Sequence, residues 1–283
     1  MNEIGGDAGM LNCADMKQRF FHAIKNGEFC VWYQPQVDMR SGTPRGAEAL
    51  VRWKMADGGF VEPAGFVAEL ERLGLMERLD EEVLQIVCRD IREGKKRGFS
   101  LGTVSVNLSR LHAEKAGTAD RLKEMVERHG VSRREVSFEI TETAENAAND
   151  IVMTEFAGCL RENGFRIAMD DYGIGASTLK LLLESRFDIL KLDRHFVSRI
   201  GDPRTDIILD STIAMAGRLG LEVVAEGVET IDQIHFLMGH QCFIGQGYYY
   251  SRPLDYEQYV RWKRAAGDSW FCGKTNVLEN GRI

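Results

Sequence analysis

The chain has 283 residues, of which 44% are hydrophobic and 28% are charged, and its formal net charge is −7. This length suits one large domain or two small ones, and the composition is typical of a globular protein rather than a disordered or fibrous one. The acidic balance argues against a general affinity for DNA or RNA duplexes, and no apolar run approaches the ~18 residues that a membrane span needs.

The chain ends and the cysteines give no sign of export. Residues 1–12 contain no basic segment followed by an apolar one, which argues against a secretory signal. The six cysteines are scattered, without a CxxC pair or a zinc-type spacing, and we interpret them as free thiols in a reducing compartment. We therefore expect a cytoplasmic segment, whether or not a longer protein is anchored in a membrane. Residues 1–12 are expected to be an extension or linker, 13–265 one domain, and 266–283 a tail.

Short apolar, β-branched runs alternate with longer amphipathic segments along the chain, which is typical of an α/β fold. One helical pattern opens on Pro63, and another ends in basic residues before Gly98. Eight strands connected by helices predict a closed (β/α)8 barrel. The predicted strands are 29–38, 46–53, 102–109, 135–142, 165–171, 189–193, 222–229 and 242–250.

The connection between the first two strands does not fit a regular barrel. It consists of residues 39–45, "MRSGTPR", whereas a parallel crossover takes about a dozen residues or more. Because Gly42 and Pro44 lie within it, we expect a hairpin. The sequence thus predicts a modified, TIM-like (β/α)8 barrel whose first strand is antiparallel to its neighbour.

Polar side chains recur near the carboxyl ends of strands that should be almost wholly apolar. A single strand-end carboxylate is more often a helix cap or a salt-bridge partner than a ligand, but repetition over successive strands indicates a functional site. Barrel enzymes carry their active sites at this end. Carboxylates and an amide oxygen, without Cys or His, favour Mg²⁺ or Mn²⁺ over zinc. The residues are Glu48, Asn107, Glu139, Asp170, Asp171, Lys191, Asp193 and Glu226.

The charges at these positions predict how many metal ions are held. Asp170 and Asp171 are adjacent, and neighbouring carboxylates raise one another's pKa unless a cation lies between them. With Glu48, Glu139 and Glu226 they carry five negative charges, which two divalent ions and one lysine would balance. We therefore expect two ions that share Asp170 as a bridge and lower the pKa of a bound water.

The same residues stand in an ordered series of motifs that resembles the EAL domain family, named after the tripeptide found here at positions 48–50. Alternation of side chains along that strand places Glu48, Leu50 and Arg52 on one side. The resemblance extends over about residues 15–262. The motifs are, in order, "YQP", "EALVRW", "VNLS", "EITE", "MDDYGIG", "LKLD", "AEGVET" and "GQGYYY".

The resemblance implies a phosphodiesterase that converts the bacterial second messenger cyclic di-GMP to the linear dinucleotide pGpG. It implies Mg²⁺ or Mn²⁺ as cofactors, with Ca²⁺ inhibitory because it binds at longer distances. By this mapping Glu48, Asn107, Glu139 and Asp170 hold one ion, and Asp170, Asp171 and Glu226 hold the second.

The resemblance also implies the remaining roles at the site. Lys191, with Glu226 and Glu48, is catalytic and holds or polarises the attacking water. Arg52 contacts substrate phosphate, and Gln34, Leu50, Asp193 and Gln246 complete the substrate site. Glu142 and Glu229 support the adjoining loops. Partners implied by the resemblance are cyclic di-GMP, a second copy of the chain, and a sensory or GGDEF domain in a longer protein.

The segment after Asp171 departs from the family pattern DDFGTGYSSL at four positions, of which Tyr172 and Thr178 are mild changes. Ile174 and Ala176 replace a hydroxyl and an aromatic ring, so we expect retained metal binding with an altered rate or altered coupling to dimerisation. Two other functions remain open: a catalytically weak or inactive receptor or protein-interaction module, and a barrel lyase or isomerase of enolase type. His195 is interpreted as a surface residue.

Overall fold

The computed structural model describes residues 13–141, 147–172, 182–183 and 187–273, with the backbone alone described at Asp171 and at some element ends. It is an α/β structure whose helices surround one sheet. The strands are β1 Phe29–Asp38, β2 Thr43–Lys54, β3 Phe60–Val61, β4 Thr103–Leu108, β5 Val136–Thr141, β6 Arg166–Tyr172, β7 Ile189–Leu192, β8 Glu222–Ala225 and β9 Ile244–Gln246. The α-helices are α1 Cys13–Asn26, α2 Val67–Arg72, α3 Met76–Lys96, α4 Thr118–Arg128, α5 Ala147–Glu162, α6 Arg194–Val197, α7 Pro203–Arg218, α8 Ile231–Gly239 and α9 Tyr256–Gly273.

Eight of these strands close into a barrel in the order β1-β9-β8-β7-β6-β5-β4-β2, with β1 also paired to β2. β2 and the strands β4 to β9 run parallel around the barrel, whereas β1 is antiparallel to both of its neighbours. The hairpin predicted from Gly42 and Pro44 joins β1 to β2, and Gly42 adopts a positive φ of 70°. The predicted modified barrel is therefore confirmed. The short β3 pairs antiparallel with β2 outside the closed ring.

The last two barrel strands are shorter than predicted. β8 ends at Ala225, so Glu226 follows the strand rather than lying in it, although its N–H still donates to Leu192 O at 3.0 Å. Gly227 then turns the chain at φ 67°. Beyond β9, a Cβ on Gly247 would lie 2.2 Å from Val228 O, so the backbones following β8 and β9 are in close contact.

The helices contribute an apolar layer around the barrel. α3 buries one stripe, including Leu79, Leu84 and Val87, and its last turn carries basic residues that suit the negative end of the helix dipole. The chain leaves this helix through Gly98 at φ 65°, as the sequence predicts. Within the described residues, no helix has the length and apolar character needed to cross a membrane.

The last helix packs against β1 and β2. Tyr259 on α9 is fully buried and its hydroxyl lies 2.8 Å from Leu101 O and 3.1 Å from Gly46 O. Just before the helix, Tyr33 and Leu254 exchange backbone hydrogen bonds of 2.7 and 2.9 Å. α9 continues to Gly273, beyond the domain boundary expected at residue 265.

Candidate active site at the carboxyl end of the barrel

A single buried ammonium group lies among four carboxylates at the carboxyl end of the barrel. Lys191 Nζ is 2.7 Å from Glu226 Oε1, 2.9 Å from Asp170 Oδ1 and 3.4 Å from Glu48 Oε2. It also donates a short hydrogen bond to Glu139 Oε2. Lys191 and Glu139 are each 1% exposed. The carboxylates number four and the lysine one, so these described side chains carry a net charge of −3 when all are ionised.

The barrel geometry brings these side chains together from distant parts of the sequence. Glu48, Glu139 and Asp170 project inward from three strands, and Lys191 projects inward from β7. Strand pairing places Asn107 beside Glu139. Because parallel strands end at one rim, residues that are separated by more than a hundred positions become neighbours.

Burial and mutual repulsion disturb the titration of this cluster. Burial raises the pKa of Glu226 to about 8, with Lys191 opposing the rise and the neighbouring carboxylates adding to it. Burial likewise raises the pKa of Glu139 well above its usual range. For Lys191, burial favours the neutral amine, but the four carboxylates outweigh it and raise its pKa well above the usual value. The lysine is thus held as a cation.

A network of three amide side chains joins two carboxylates across the rim. Gln246 Nε2 donates to Glu48 Oε2 at 2.7 Å and to Glu226 Oε1 at 3.0 Å. Asn107 Nδ2 donates to the other oxygen of Glu48 at 3.2 Å. Gln36 on β1 in turn donates to Gln246 Oε1 at 3.0 Å. Gln36 was not predicted, although it lies two residues after Gln34 and therefore on the same face of the strand.

The cluster leaves oxygen atoms free for a further ligand. Glu139 Oε1 is buried without a hydrogen-bond partner, and Asp170 Oδ1 accepts no hydrogen bond of regular geometry despite its closeness to Lys191. Within the described residues, Asp, Glu, His and Cys side chains form no group of three or more arranged to hold a metal ion. The Lys191 ammonium lies between the acids instead. Oxygen ligands, free lone pairs and excess negative charge nevertheless fit hard divalent cations.

Several predicted residues lie outside this description. The side chain of Asp171, predicted as a ligand to the second ion, is outside it, and so are Glu142, Ile174 and Ala176 in full. Their predicted roles stay predictions.

Arg52 is the predicted phosphate contact and lies four residues after Glu48, on the same face of β2. Its side chain is 7% exposed, its Nη1 donates to Val51 O at 2.9 Å, and its guanidinium lies 5.4 Å from the Trp32 ring centroid. Glu62, 3.9 Å away, is largely exposed. A guanidinium held by a ring and one distant carboxylate retains donors for an anionic ligand.

The other predicted substrate residues differ in burial and in their hydrogen-bond partners. Gln34 is buried and donates to Ser251 O at 2.9 Å, whereas Leu50 is half-buried. Asp193 caps α6 by accepting from the His195 backbone nitrogen at 2.7 Å. A helix cap is the ordinary role for such an aspartate.

Glu229 and His195 belong to the segments that follow β8 and β7. Glu229 is exposed, and its backbone N–H donates to Gln233 Oε1 at 2.7 Å, so Gln233 is the residue that braces this turn. His195 is exposed, as predicted.

The carboxyl-end cluster and its modified barrel agree with the comparison to protein families. The EAL domain profile matches residues 17–253. The chain belongs to the EAL domain family.

Two curated relatives show how much of a longer protein this EAL chain matches. The probable cyclic di-GMP phosphodiesterase PdeG of Escherichia coli K12 is 36% identical over 84% of this chain and 47% of its own length. The cyclic di-GMP phosphodiesterase NbdA of Pseudomonas aeruginosa PAO1 is 35% identical over 84% of this chain and 30% of its own. The chain thus spans less than half the length of either relative.

Solved EAL structures share the fold. The PaMucR phosphodiesterase in complex with c-di-GMP has a TM-score of 0.78 at 31% identity, covering 86% of this chain and 98% of that one. The EAL enzyme Bd1971, bound to cAMP and cyclic-di-GMP, has a TM-score of 0.80 at 28% identity, covering 92% and 71%.

Proposed function

We propose that this EAL domain is a phosphodiesterase that hydrolyses cyclic di-GMP to pGpG and depends on two divalent cations, Mg²⁺ or Mn²⁺. The observation that carries the proposal is the buried cluster of Glu48, Glu139, Asp170 and Glu226 around one lysine, whose charge is −3 when all five groups are ionised. A buried excess of negative charge is costly unless cations neutralise it. Relatives and solved neighbours named as cyclic di-GMP phosphodiesterases support the choice of substrate.

The proposed metal ligands are the residues predicted from the sequence. Glu48, Asn107, Glu139 and Asp170 would hold one cation, and Asp170, Asp171 and Glu226 the second. When bound, the cations would neutralise the acids, lower the pKa of a water and stabilise charge on the phosphate oxygens. We propose that Ca²⁺ inhibits, because it favours longer and less regular coordination.

The chain's own residues bind and orient the reactants in this proposal. Arg52 holds a non-bridging phosphate oxygen, and Lys191 donates hydrogen bonds that orient the attacking water. The water oxygen forms a bond to phosphorus as the bond from phosphorus to the 3′ oxygen breaks. One proton of the water passes by way of the carboxylate cluster to the 3′ oxygen, which leaves as a hydroxyl. The product then carries one 5′ phosphate monoester, as in pGpG.

Gln246 is the proposed positioning residue at the rim. Its amide restrains Glu48 and Glu226 at the same time, so the two acids cannot separate freely. Gln36 holds the amide orientation by donating to its oxygen. Positioning of this kind reduces the reorganisation needed when the reactants bind.

We also propose which domains and partners accompany this domain. Because the chain covers 47% and 30% of two curated relatives, we propose that it works beside a sensory or GGDEF domain of a longer protein. We further propose a homodimer located in the cytoplasm.

An assay of purified protein with cyclic di-GMP tests the function. With Mg²⁺ or Mn²⁺ we expect pGpG to accumulate, and with Ca²⁺ or EDTA we expect none. Glu48→Gln should lower turnover by ~100-fold or more, since it removes a charged ligand while conserving volume. Glu124→Gln is the matched control, because Glu124 is an exposed carboxylate paired with Arg128 on the outer surface.

The alternative outcomes are distinct. Tight binding of cyclic di-GMP without turnover in any of these ions would identify a receptor and overturn the catalytic proposal. Failure to bind cyclic di-GMP would overturn both.

A further inference from the structure

The two halves of the barrel interior differ in polarity below the carboxyl-end cluster. On one side Ala168, Ile189, Val224 and Ile244 form a buried apolar cluster. On the other side the inward residues are small or polar: Gly46 has no side chain, and the buried hydroxyls of Ser105 and Ser137 lie 2.9 Å apart. Small residues on one side leave space that the apolar cluster does not fill.

That space is a cavity of about 540 Å³ that reaches from the amino end of the barrel toward the underside of the cluster. Glu139 and Lys191 line its inner end, and Ser105 and Ser137 line its middle. The mouth is formed at the amino ends of the strands and in the connections before them, by Arg45, Ser100, Gly102, Arg134, Arg166 and Glu222. The mouth is therefore at the end of the barrel opposite the proposed active site.

Positive charge is in excess at this mouth. Arg45 Nη2 lies 3.8 Å from one oxygen of Glu222, and Arg166 Nη1 lies 3.3 Å from the other, so two guanidinium groups share one carboxylate. Both distances are longer than that of a strong charge-assisted hydrogen bond. The three residues also line a second cavity of about 940 Å³ on the other side, so both faces of the pair are accessible.

The other charged residues at the mouth do not remove this excess. Arg134 is exposed and has no ion pair within the part of the chain that is described. Glu135 is engaged elsewhere, since its Oε2 lies 2.6 Å from Lys95 Nζ and accepts from the Ser132 backbone at 2.8 Å. Three arginines thus face one available carboxylate, in a chain whose formal net charge is −7.

Hydroxyl groups at the mouth add neutral donors. Ser100 Oγ accepts from the Gly102 backbone at 3.2 Å, which leaves its own hydrogen available. Guanidinium groups supplemented by hydroxyls are the usual donor set for tetrahedral oxyanions. Among the described lining residues none is aromatic, so nothing there provides a ring on which a nucleobase would stack.

We propose that Arg45, Arg166 and Arg134 form a binding site for a small oxyanion, of the class of inorganic phosphate, at the amino end of the barrel. Glu222 occupies the two guanidinium groups in the absence of the anion and competes with it. This site is separate from the carboxyl-end cluster and does not depend on the proposed phosphodiesterase activity.

Calorimetric titration of the EDTA-treated, metal-free protein with inorganic phosphate, at constant ionic strength, tests the proposal. Arg166→Gln and Arg45→Gln should each weaken binding by about tenfold or more, since each removes charge-assisted hydrogen bonds. Arg128→Gln is the matched control, because Arg128 is an exposed arginine paired with Glu124 on the outer surface. It should leave the affinity unchanged.

A substitution of opposite sign makes the test sharper. Glu222→Gln removes the competing charge and should tighten phosphate binding by about tenfold, whereas Glu124→Gln on the outer surface should not. A tightening cannot arise from a variant that merely unfolds. Equal effects of Glu222→Gln and Glu124→Gln would show general electrostatics only and overturn the proposal.

Two further results would overturn it. One is the absence of phosphate binding in the metal-free protein. The other is loss of binding on Arg52→Gln but not on Arg166→Gln, which would place the anion at the carboxyl end. Titration with GMP distinguishes a free oxyanion from a nucleotide: we expect weaker binding than phosphate, and tighter binding would overturn the assignment to a small anion. Crystals soaked in arsenate should show anomalous density beside Arg166.

Discussion

The backbone N–H of Ser109 donates a 2.7 Å hydrogen bond to Oδ2 of Asp80, a buried carboxylate on α3. The same oxygen lies 3.2 Å from Nε2 of the fully buried His112. Ser109 stands two residues after Asn107, the amide that contacts Glu48. The helix thereby fixes the end of β4, and with it the position of a proposed metal ligand.

Asp80→Ala should therefore destabilise the fold and weaken divalent-ion binding together. Leaving a buried N–H without an acceptor costs about 1–3 kcal/mol. Asp80→Asn retains an acceptor oxygen and should lose less. Denaturant unfolding and calorimetric Mg²⁺ titration measure the two effects. Asp57→Ala is the control, because Asp57 also accepts a backbone hydrogen bond, from Gly59, but is exposed and on a remote turn. Normal Mg²⁺ affinity in Asp80→Ala would contradict the positioning role.

Removal of the buried ammonium should have an effect that depends on metal. In Lys191→Met the four carboxylates lose their only cation within the described cluster, and breaking a buried ion pair costs about 3–5 kcal/mol. We expect this loss in EDTA and a smaller loss in Mg²⁺, since bound ions supply the missing charge and stabilise the folded state. Thermal unfolding in both buffers measures the difference. An equal loss in both would argue that cations do not enter the cluster.

Two glycine substitutions should change stability in opposite directions. A Cβ on Gly46 would lie 2.0 Å from Thr103 O, so Gly46→Ala forces β2 and β4 apart and should cost about 1–3 kcal/mol or more. Gly158 lies within α5 with nothing within 4 Å of an added Cβ, so Gly158→Ala should stabilise by about 0.5–1 kcal/mol. Urea denaturation of both variants measures the changes. A neutral Gly46→Ala would contradict the close approach of the strands.

Thiol reactivity should follow burial. Burial raises the pKa of Cys88 and of Cys242 to about 12, so at pH 8 both are almost wholly protonated and shielded from reagents. Cys159 is exposed. Iodoacetamide at pH 8 should therefore modify Cys159 and spare the other two in the folded protein, as peptide mass spectrometry would show. Since only the thiolate reacts, the difference in modification between Cys159 and the two buried cysteines should persist at any pH at which the protein stays folded. Rapid modification of Cys242 in folded protein would contradict its burial.

The barrel was predictable because its signals are local. The short connection containing Gly42 and Pro44 determines the direction of β1, and the repeated strand-end acids indicate the rim. The alternation of side chains along each strand was enough to predict that Glu48 and Lys191 both face the barrel interior.

Contacts that depend on tertiary packing were not predictable in the same way. Asp80 lies on α3, whereas Ser109 follows β4. The periodicity of the sequence carries no information about a hydrogen bond between two separate elements. Gln36 acts through Gln246, which is distant in sequence. The close approach of Gly247 to Val228 likewise depends on two segments at once.

Closure of the barrel joins the beginning of the chain to its end. Tyr33 pairs with Leu254, and Tyr259 donates to the backbones of Gly46 and Leu101. During synthesis, therefore, β1 and β2 leave the ribosome long before the residues that complete their hydrogen bonding. Contacts of such high sequence separation form slowly. Because the other edge of β1 pairs with β9, the nascent hairpin stays unpaired on that edge until about residue 246 has emerged, and in this interval a chaperone would protect the chain from aggregation.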